Sequence, residues 1–159
     1  MSPLDNIRIV LVNPVYGGNV GSACRAMMNM GLSQLVLVDP RPGMNMEDAA
    51  QMACHAGQIL ANRKVFDTTA EAVADCTLVV GTGTITYRKP EQPVIQLPEL
   101  APLVSRELAR GGSVAMVFGS EKHGLTREDL SYCHLLVEIP TDPQQPSMNL
   151  GQAVAVCLY

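Results

Sequence analysis

Apolar residues in this chain alternate between short, β-rich runs and longer stretches where they recur at helical spacing. The runs at 7–12, 35–38, 65–66, 78–82, 114–118 and 135–139 predict strands, and their continuous apolarity is that of strands buried on both faces. Helices are expected over 19–30, 47–61, 69–75, 99–110 and 127–131, and again from Ser147 to the end, where Leu150, Ala153, Val154, Cys157 and Leu158 share a face. On the first helix Ala23, Met27 and Met30 form an apolar stripe, while Ser22 and Arg25 share another face. Punctuation supports these bounds. Asn19, Thr126 and Ser147 are candidate N-caps. Gly31 and the pair Gly111 and Gly112 are candidate helix stops. Pro140, Pro143 and Pro146 forbid helix or ladder pairing between the last strand and the last helix. The strict alternation of strand and helix with short loops predicts an α/β fold, a parallel sheet with helices on both faces, in one domain over 1–159.

Composition narrows the class. With 159 residues, 47% hydrophobic and 16% charged, the chain can build a genuine core and is not disordered. No apolar run approaches the roughly 18 residues of a membrane span, and the start lacks a secretory leader, so a cytoplasmic protein is expected. Five scattered cysteines without a C-x-x-C pair read as small buried residues in a reducing compartment. The three histidines have no zinc-ligand spacing, so no metal is expected. A net charge of −4 gives no general attraction to nucleic acid and leaves any such contact to local patches. The end at Tyr159 falls inside a helical pattern with no capping signal, which predicts a chain cut short at its C-terminus.

Ligands of open α/β sheets bind beyond the carboxyl ends of strands, which here means the loops 13–21, 81–86, 119–124 and 140–149. Gly18 and Gly21 after the first strand, with Asp39 ending the second, suggest a dinucleotide fingerprint. Tyr16 occupies the place of its first glycine, and the Pro14-Val-Tyr insertion lengthens a turn that should be tight.

Three other blocks carry more. N-x-G-x-x-x-R runs from Asn19 to Arg25 at the start of a helix. F-G-x-E-x-x-G-L runs from Phe118 to Leu125 after a strand. Ile139 and Pro140 lead, across six intervening residues, to Ser147, Met148 and Asn149. In this order and spacing the blocks resemble the SPOUT superfamily, specifically the SpoU-type tRNA/rRNA 2′-O-ribose methyltransferases, over 7–159. Within it, the opening strand and the size look most like the bacterial enzymes that methylate a pyrimidine of the tRNA anticodon loop.

The resemblance implies a C-terminal deep trefoil knot, which ordinary topology rules would reject. It implies S-adenosyl-L-methionine as cofactor and tRNA or rRNA as substrate. It implies a homodimer built from the first and last helices, with no membrane partner. The cofactor is expected against Gly81, Thr82 and Gly83 in one loop. A second loop supplies Phe118, Gly119, Ser120, Glu121 and Gly124, and a third supplies Ile139, Pro140, Ser147 and Met148. Glycines at 81, 119 and 124 would allow close backbone approach, and Thr82 would offer a hydroxyl. Main-chain groups of Ile139 and Met148 would read the adenine edge. The expected catalytic residues are Arg25, Asn19, Ser147 and Asn149. Ser147 and Asn149 would orient the ribose hydroxyl or its phosphate, and Arg25 would act on the partner's cofactor site. A guanidinium does not readily give up a proton, so phosphate binding suits Arg25 better than a general-base role. Arg88 and Lys89, with Arg25, are the expected RNA contacts.

Each residue also has a plainer reading. Asn19 and Ser147 are ordinary helix caps, Glu121 a surface acid or a ligand of nearby backbone, Arg25 a solvated helix residue, and Arg88 and Lys89 loop charges. Three rivals follow: an idle SPOUT-like RNA-binding protein, a nicotinamide-dependent oxidoreductase using Gly18, Gly21 and Asp39, and a dimerisation module without chemistry.

Overall fold

The computed structural model describes residues 2–83 and 89–159. Among them lie seven strands: β1 (Ile7–Val12), β2 (Gln34–Val38), β3 (Lys64–Phe66), β4 (Leu78–Thr82), β5 (Val94–Gln96), β6 (Val114–Phe118) and β7 (Leu135–Glu138). The α-helices are α1 (Gly17–Asn29), α2 (Met46–Ala53), α3 (Gly57–Ala61), α4 (Thr69–Val73), α5 (Leu100–Ala109), α6 (Arg127–Ser131) and α7 (Leu150–Leu158). The strands form one sheet in the order β3-β2-β1-β6-β4-β7-β5, every pair parallel.

Both sheet faces are buried, which is why the strands read as unbroken apolar runs. Ile7, Ile9 and Leu11 of β1 join a core with Val20, Ala23 and Met27 of α1, Ala49 and Ala53 of α2, and Val154 of α7. Their neighbours Val10 and Val12 face the opposite side, against Ala72 and Val73 of α4 and Leu130 of α6. The expected α/β sheet covered by helices on both faces is therefore present.

The strands expected at 7–12, 78–82 and 114–118 and the helix at 127–131 keep their bounds. Thr126 caps α6, its hydroxyl accepting from Asp129 N. Gly31 and Gly111 follow their helices at φ +79° and +80°, conformations that a Cβ disfavours. Other expectations need correction. β5 was not foreseen; Pro93 and Pro98 bracket it, and it lies at the sheet edge paired with β7 alone. The helix expected over 47–61 breaks at Cys54, whose φ of +53° cannot continue an α-helix, and a 3-10 turn (Cys54–Ala56) separates α2 from α3. Asn19 is not an N-cap, because α1 already begins at Gly17, with Tyr16 in the cap position and no side-chain cap bond. Ser147 is not the cap of the last helix either. Asn149 is, through Gln152 N. Ile139 lies just past β7.

Candidate functional site

The register brings the carboxyl ends of the central strands to one rim. Leu11 is paired with Phe118, Gly81 with Val117, and Thr82 with Val137. The segments leaving β1, β4, β6 and β7 thus emerge side by side and surround a cleft of about 820 Å³. Asn19, Glu121 and Asn149, far apart in sequence, meet there.

Glu121 organises the rim. Its Oε2 accepts from Val15 N at 2.9 Å, and its Oε1 accepts from Tyr16 N at 3.2 Å and Asn19 Nδ2 at 3.1 Å. A carboxylate at the start of α1 also meets the positive end of the helix dipole. The side-chain cap that α1 lacks locally is thereby replaced by a residue about a hundred positions away. Asn19 Oδ1 in turn accepts from Asn149 Nδ2 at 3.1 Å, and Asn149 Oδ1 accepts from Gln152 N at 3.3 Å, capping α7. One hydrogen-bonded chain ties the loops after β1, β6 and β7 together. Glu121 is therefore a ligand of backbone and of Asn19 as well as a lining residue.

Of the residues expected around a cofactor, Thr82, Gly83, Phe118, Gly119, Ser120, Glu121, Gly124, Ile139, Ser147 and Met148 line the cleft. Gly81 and Pro140 do not. A Cβ on Gly81 would lie 2.7 Å from Leu136 Cδ2 and 3.0 Å from Cys133 Sγ, so this glycine serves packing beneath the rim. A Cβ on Gly119 would lie 2.2 Å from the carbonyl carbon of Gly124. Its smallness lets the 119–124 loop close on itself, helped by Gly124 N donating to Ser120 O at 2.8 Å. Gly124 supplies φ +65°. The Thr82 hydroxyl proton is already committed to Val117 O at 3.0 Å, leaving only its oxygen to accept. Ser120 Oγ likewise accepts from Lys122 N. Thr141 donates to Pro146 O at 2.8 Å and braces the proline-rich approach to Ser147, which is exposed on the rim.

The dinucleotide fingerprint dissolves in the fold. A Cβ on Gly21 would lie 2.2 Å from Ala49 O, so this glycine lets α1 touch the α2 backbone, as Gly17 does at Asn45 O, whereas Gly18 borders the cleft and meets only Met52 Cγ at 3.7 Å. The Asp39 side chain accepts from Asn13 Nδ2 and is not part of the cleft wall.

Arg25 lies outside the cleft. It borders an adjoining groove of about 660 Å³ with Ser22, Gln51, Met52 and Gln152, and Asn19, Asp48 and Asn149 border both spaces. Its Nη1 donates to Cys54 Sγ at 3.4 Å. Lys89 is exposed and borders neither space, and Arg88 is outside the described residues. Asn45, Asp48, Lys122 and His123 line the cleft without having been singled out. Lys122 and His123 were legible inside the Phe118–Leu125 block, whereas Asn45 and Asp48 arrive only because α2 packs on α1.

Cysteine chemistry is absent from the cleft. Burial pushes the Cys24 thiol up to about 11 and those of Cys133 and Cys157 to about 12, which keeps them protonated and inert. Against the expected burial, Cys54 is exposed at the break between α2 and α3, and Cys76 and Cys157 are half-buried.

The SpoU rRNA Methylase family model matches residues 6–159. A tRNA (cytidine/uridine/adenosine-2′-O-)-methyltransferase TrmJ of Pseudomonas aeruginosa is 46% identical over 156 residues, 98% of this chain and 60% of the relative. The crystal structure of TrmJ from Z. mobilis superposes with a TM-score of 0.87 at 38% identity, covering 96% of this chain and 66% of that one. The fold is also that of the SpoU methyltransferase AviRb from Streptomyces viridochromogenes in complex with the cofactor AdoMet (TM-score 0.71, 17% identity, 98% of this chain and 56% of that one). The chain thus spans about three fifths of the length of the curated relative it matches.

Proposed function

The chain belongs to the SpoU rRNA Methylase family, and from that premise we propose that it transfers a methyl group to a ribose 2′-hydroxyl of tRNA, on a pyrimidine of the anticodon loop. The observation that carries this reading is the convergence of the three polar blocks on one cleft, joined through Glu121, Asn19 and Asn149. The relative from Pseudomonas aeruginosa, named for tRNA 2′-O-methylation of cytidine, uridine and adenosine, supports the substrate class.

The cleft suits S-adenosylmethionine. Phe118, Leu125, Ile139, Met148 and Leu150 offer an apolar wall to a purine, while the rim loops carry the main-chain and hydroxyl groups an adenosine needs. In this reading Thr82, Gly83 and residues 118–124 hold the ribose side, with Ile139 and Met148 on the adenine. Once bound, the cofactor supplies an electrophilic methyl group. The chain's own task is then to hold the ribose oxygen in line with it and to assist loss of one proton, which is chiefly a matter of positioning. Ser147 and Asn149 orient the hydroxyl or its phosphate. Arg25 binds the neighbouring phosphate with its fork of donors. Because Arg25 lies beside the cleft rather than in it, it serves the site of a second copy. The exposed Met28, Met52 and Val156 on α1, α2 and α7 provide apolar area for that contact.

The same reading makes residues 1–159 one methyltransferase domain, with α7 drawn through an earlier loop as a trefoil knot, working in the cytoplasm. No helix among the described residues is long and apolar enough to cross a membrane. Calorimetric titration tests the proposal: S-adenosylhomocysteine should bind at micromolar level, NAD should not, and labelled methyl should reach the 2′-oxygen of a tRNA transcript. Binding of NAD without S-adenosylhomocysteine would refute it.

A further inference from the structure

The chain from Glu121 to Asn149 can be assembled in one donor–acceptor order only. Glu121 is a carboxylate that accepts from Val15 N, Tyr16 N and Asn19 Nδ2. It has no proton to give. Asn19 must therefore turn its amide toward Glu121 and its carbonyl oxygen toward Asn149. That oxygen demands the amide of Asn149. The far end imposes the same choice, because Gln152 N is a donor and needs the Asn149 oxygen to cap α7. An inverted Asn149 would set donor against donor there and acceptor against acceptor at Asn19. Asn149 Nδ2 spends one hydrogen on Asn19, and among the described residues nothing accepts the second. Asn149 lies where the cleft and the Arg25 groove meet.

We propose that Glu121 is a positioning residue that sets the polarity of this chain, so that Asn149 presents an N–H, and never its carbonyl oxygen, to an oxygen acceptor of the RNA substrate. The inference rests on the methyltransferase reading for the identity of that acceptor, but its hydrogen-bond logic does not. The acceptor is a phosphate oxygen or the ribose 2′-oxygen, both of which carry lone pairs at this point of an RNA strand.

A substitution cycle separates polarity from mere packing. Glu121→Gln keeps one oxygen for three donors, so its amide opposes Val15 N in one rotamer and Tyr16 N with Asn19 Nδ2 in the other, and the anchor of Asn19 weakens. Asn19→Asp sets two carboxylates against each other. The double variant restores the sense that matters: the new amide at position 121 donates to the new carboxylate at position 19, which still accepts from Asn149. In single-turnover methylation each single variant should fall about tenfold or more, and the double should recover to within about threefold of the parent. A double variant no faster than the slower single one would overturn the proposal. Asn149→Asp keeps the cap but removes the donor, and should weaken tRNA binding about tenfold, well beyond any change in S-adenosylhomocysteine affinity. Parental tRNA affinity in that variant would also overturn it. Repeating the measurement on tRNA carrying a 2′-deoxy nucleotide at the mapped methylation site assigns the acceptor. A loss that persists points to phosphate, and one that disappears points to the 2′-oxygen. Side-chain amide NMR gives a readout independent of activity. The Asn149 signals should move in Glu121→Ala, where Asn19 loses its acceptor, and stay near their parental positions in the double variant, and signals unmoved in Glu121→Ala would refute the polarity even if the parent enzyme is active. Should the parent methylate no RNA, the function falls while the NMR result still decides the polarity.

Discussion

Two glycines three residues apart on α1 should respond to the same substitution with opposite signs. A Cβ on Gly21 would lie 2.2 Å from Ala49 O, 2.9 Å from Ala53 N and 3.0 Å from Ala49 C, all α2 backbone that no rotamer change can move. Even close Cα–H···O contacts stand at about 3.3 Å, so α2 would have to recede by roughly 1 Å. It is held against α1 by Ala49 and Ala53, both fully buried in the core they share. Overpacking costs about 1–3 kcal/mol, and a backbone obstacle belongs at the upper end. Alanine's better helix propensity returns up to about 1 kcal/mol, leaving a net loss of about 2 kcal/mol for Gly21→Ala. With a urea slope of about 2 kcal/mol/M, the unfolding midpoint should drop by about 1 M. At Gly18 the nearest atom to a new Cβ is Met52 Cγ, at 3.7 Å in ordinary contact. Gly18→Ala should therefore hold the midpoint or raise it, by no more than about 1 kcal/mol. Urea unfolding followed by circular dichroism measures both. A Gly21→Ala variant as stable as the parent would show that α1 and α2 do not meet backbone to backbone, and would reopen a ligand-facing role for this glycine.

Arg25→Ala should slow methyl transfer by about a hundred- to thousandfold while S-adenosylhomocysteine affinity stays at the parental value, and Arg25→Lys should recover little; single-turnover assays and calorimetry check this. The hydrogen bond from Arg8 at 2.7 Å lowers the Asp75 carboxyl, so the pair's contribution is present above about pH 4, the carboxylate's unfolded range, and fades as pH falls through the lower folded value. Because the Asp75 side chain is 73% exposed, Asp75→Asn should cost less than about 1 kcal/mol at neutral pH, and urea midpoints of variant and parent should converge in acid. Brief alkylation of the native protein at pH 8 should label Cys54 ahead of Cys24, Cys133 and Cys157, whose thiols burial keeps protonated; peptide mass spectrometry reads the order, and early labelling of Cys133 would contradict its burial.

Local chemistry determined much of this protein before any packing. The buried strands at 7–12, 78–82 and 114–118 were legible because a strand covered on both faces must be apolar throughout. Gly31, Gly111 and Thr126 were legible because a positive φ and a side-chain cap are settled within a few residues. The motif spacing likewise marked Asn19, Glu121, Ser147 and Asn149, which share the cleft. Where the reading failed, the deciding partner lay far along the chain. β5 is three residues among prolines and becomes a strand because β7 offers it an open edge. Asn19 looked like a cap, but Glu121, 102 positions away, took its amide. Ser147 looked like the cap of the last helix, but Asn149 holds the place, where its amide also meets Asn19 across 130 positions. Of the glycines that suggested a dinucleotide turn, Gly21 answers to the α2 backbone and Gly18 borders the cleft, and Gly81 answers to Leu136 and Cys133. Sequence records what a residue is able to do with its neighbours in the chain; only the folded sheet, by closing loops of about a hundred residues, decides which of those capacities is used.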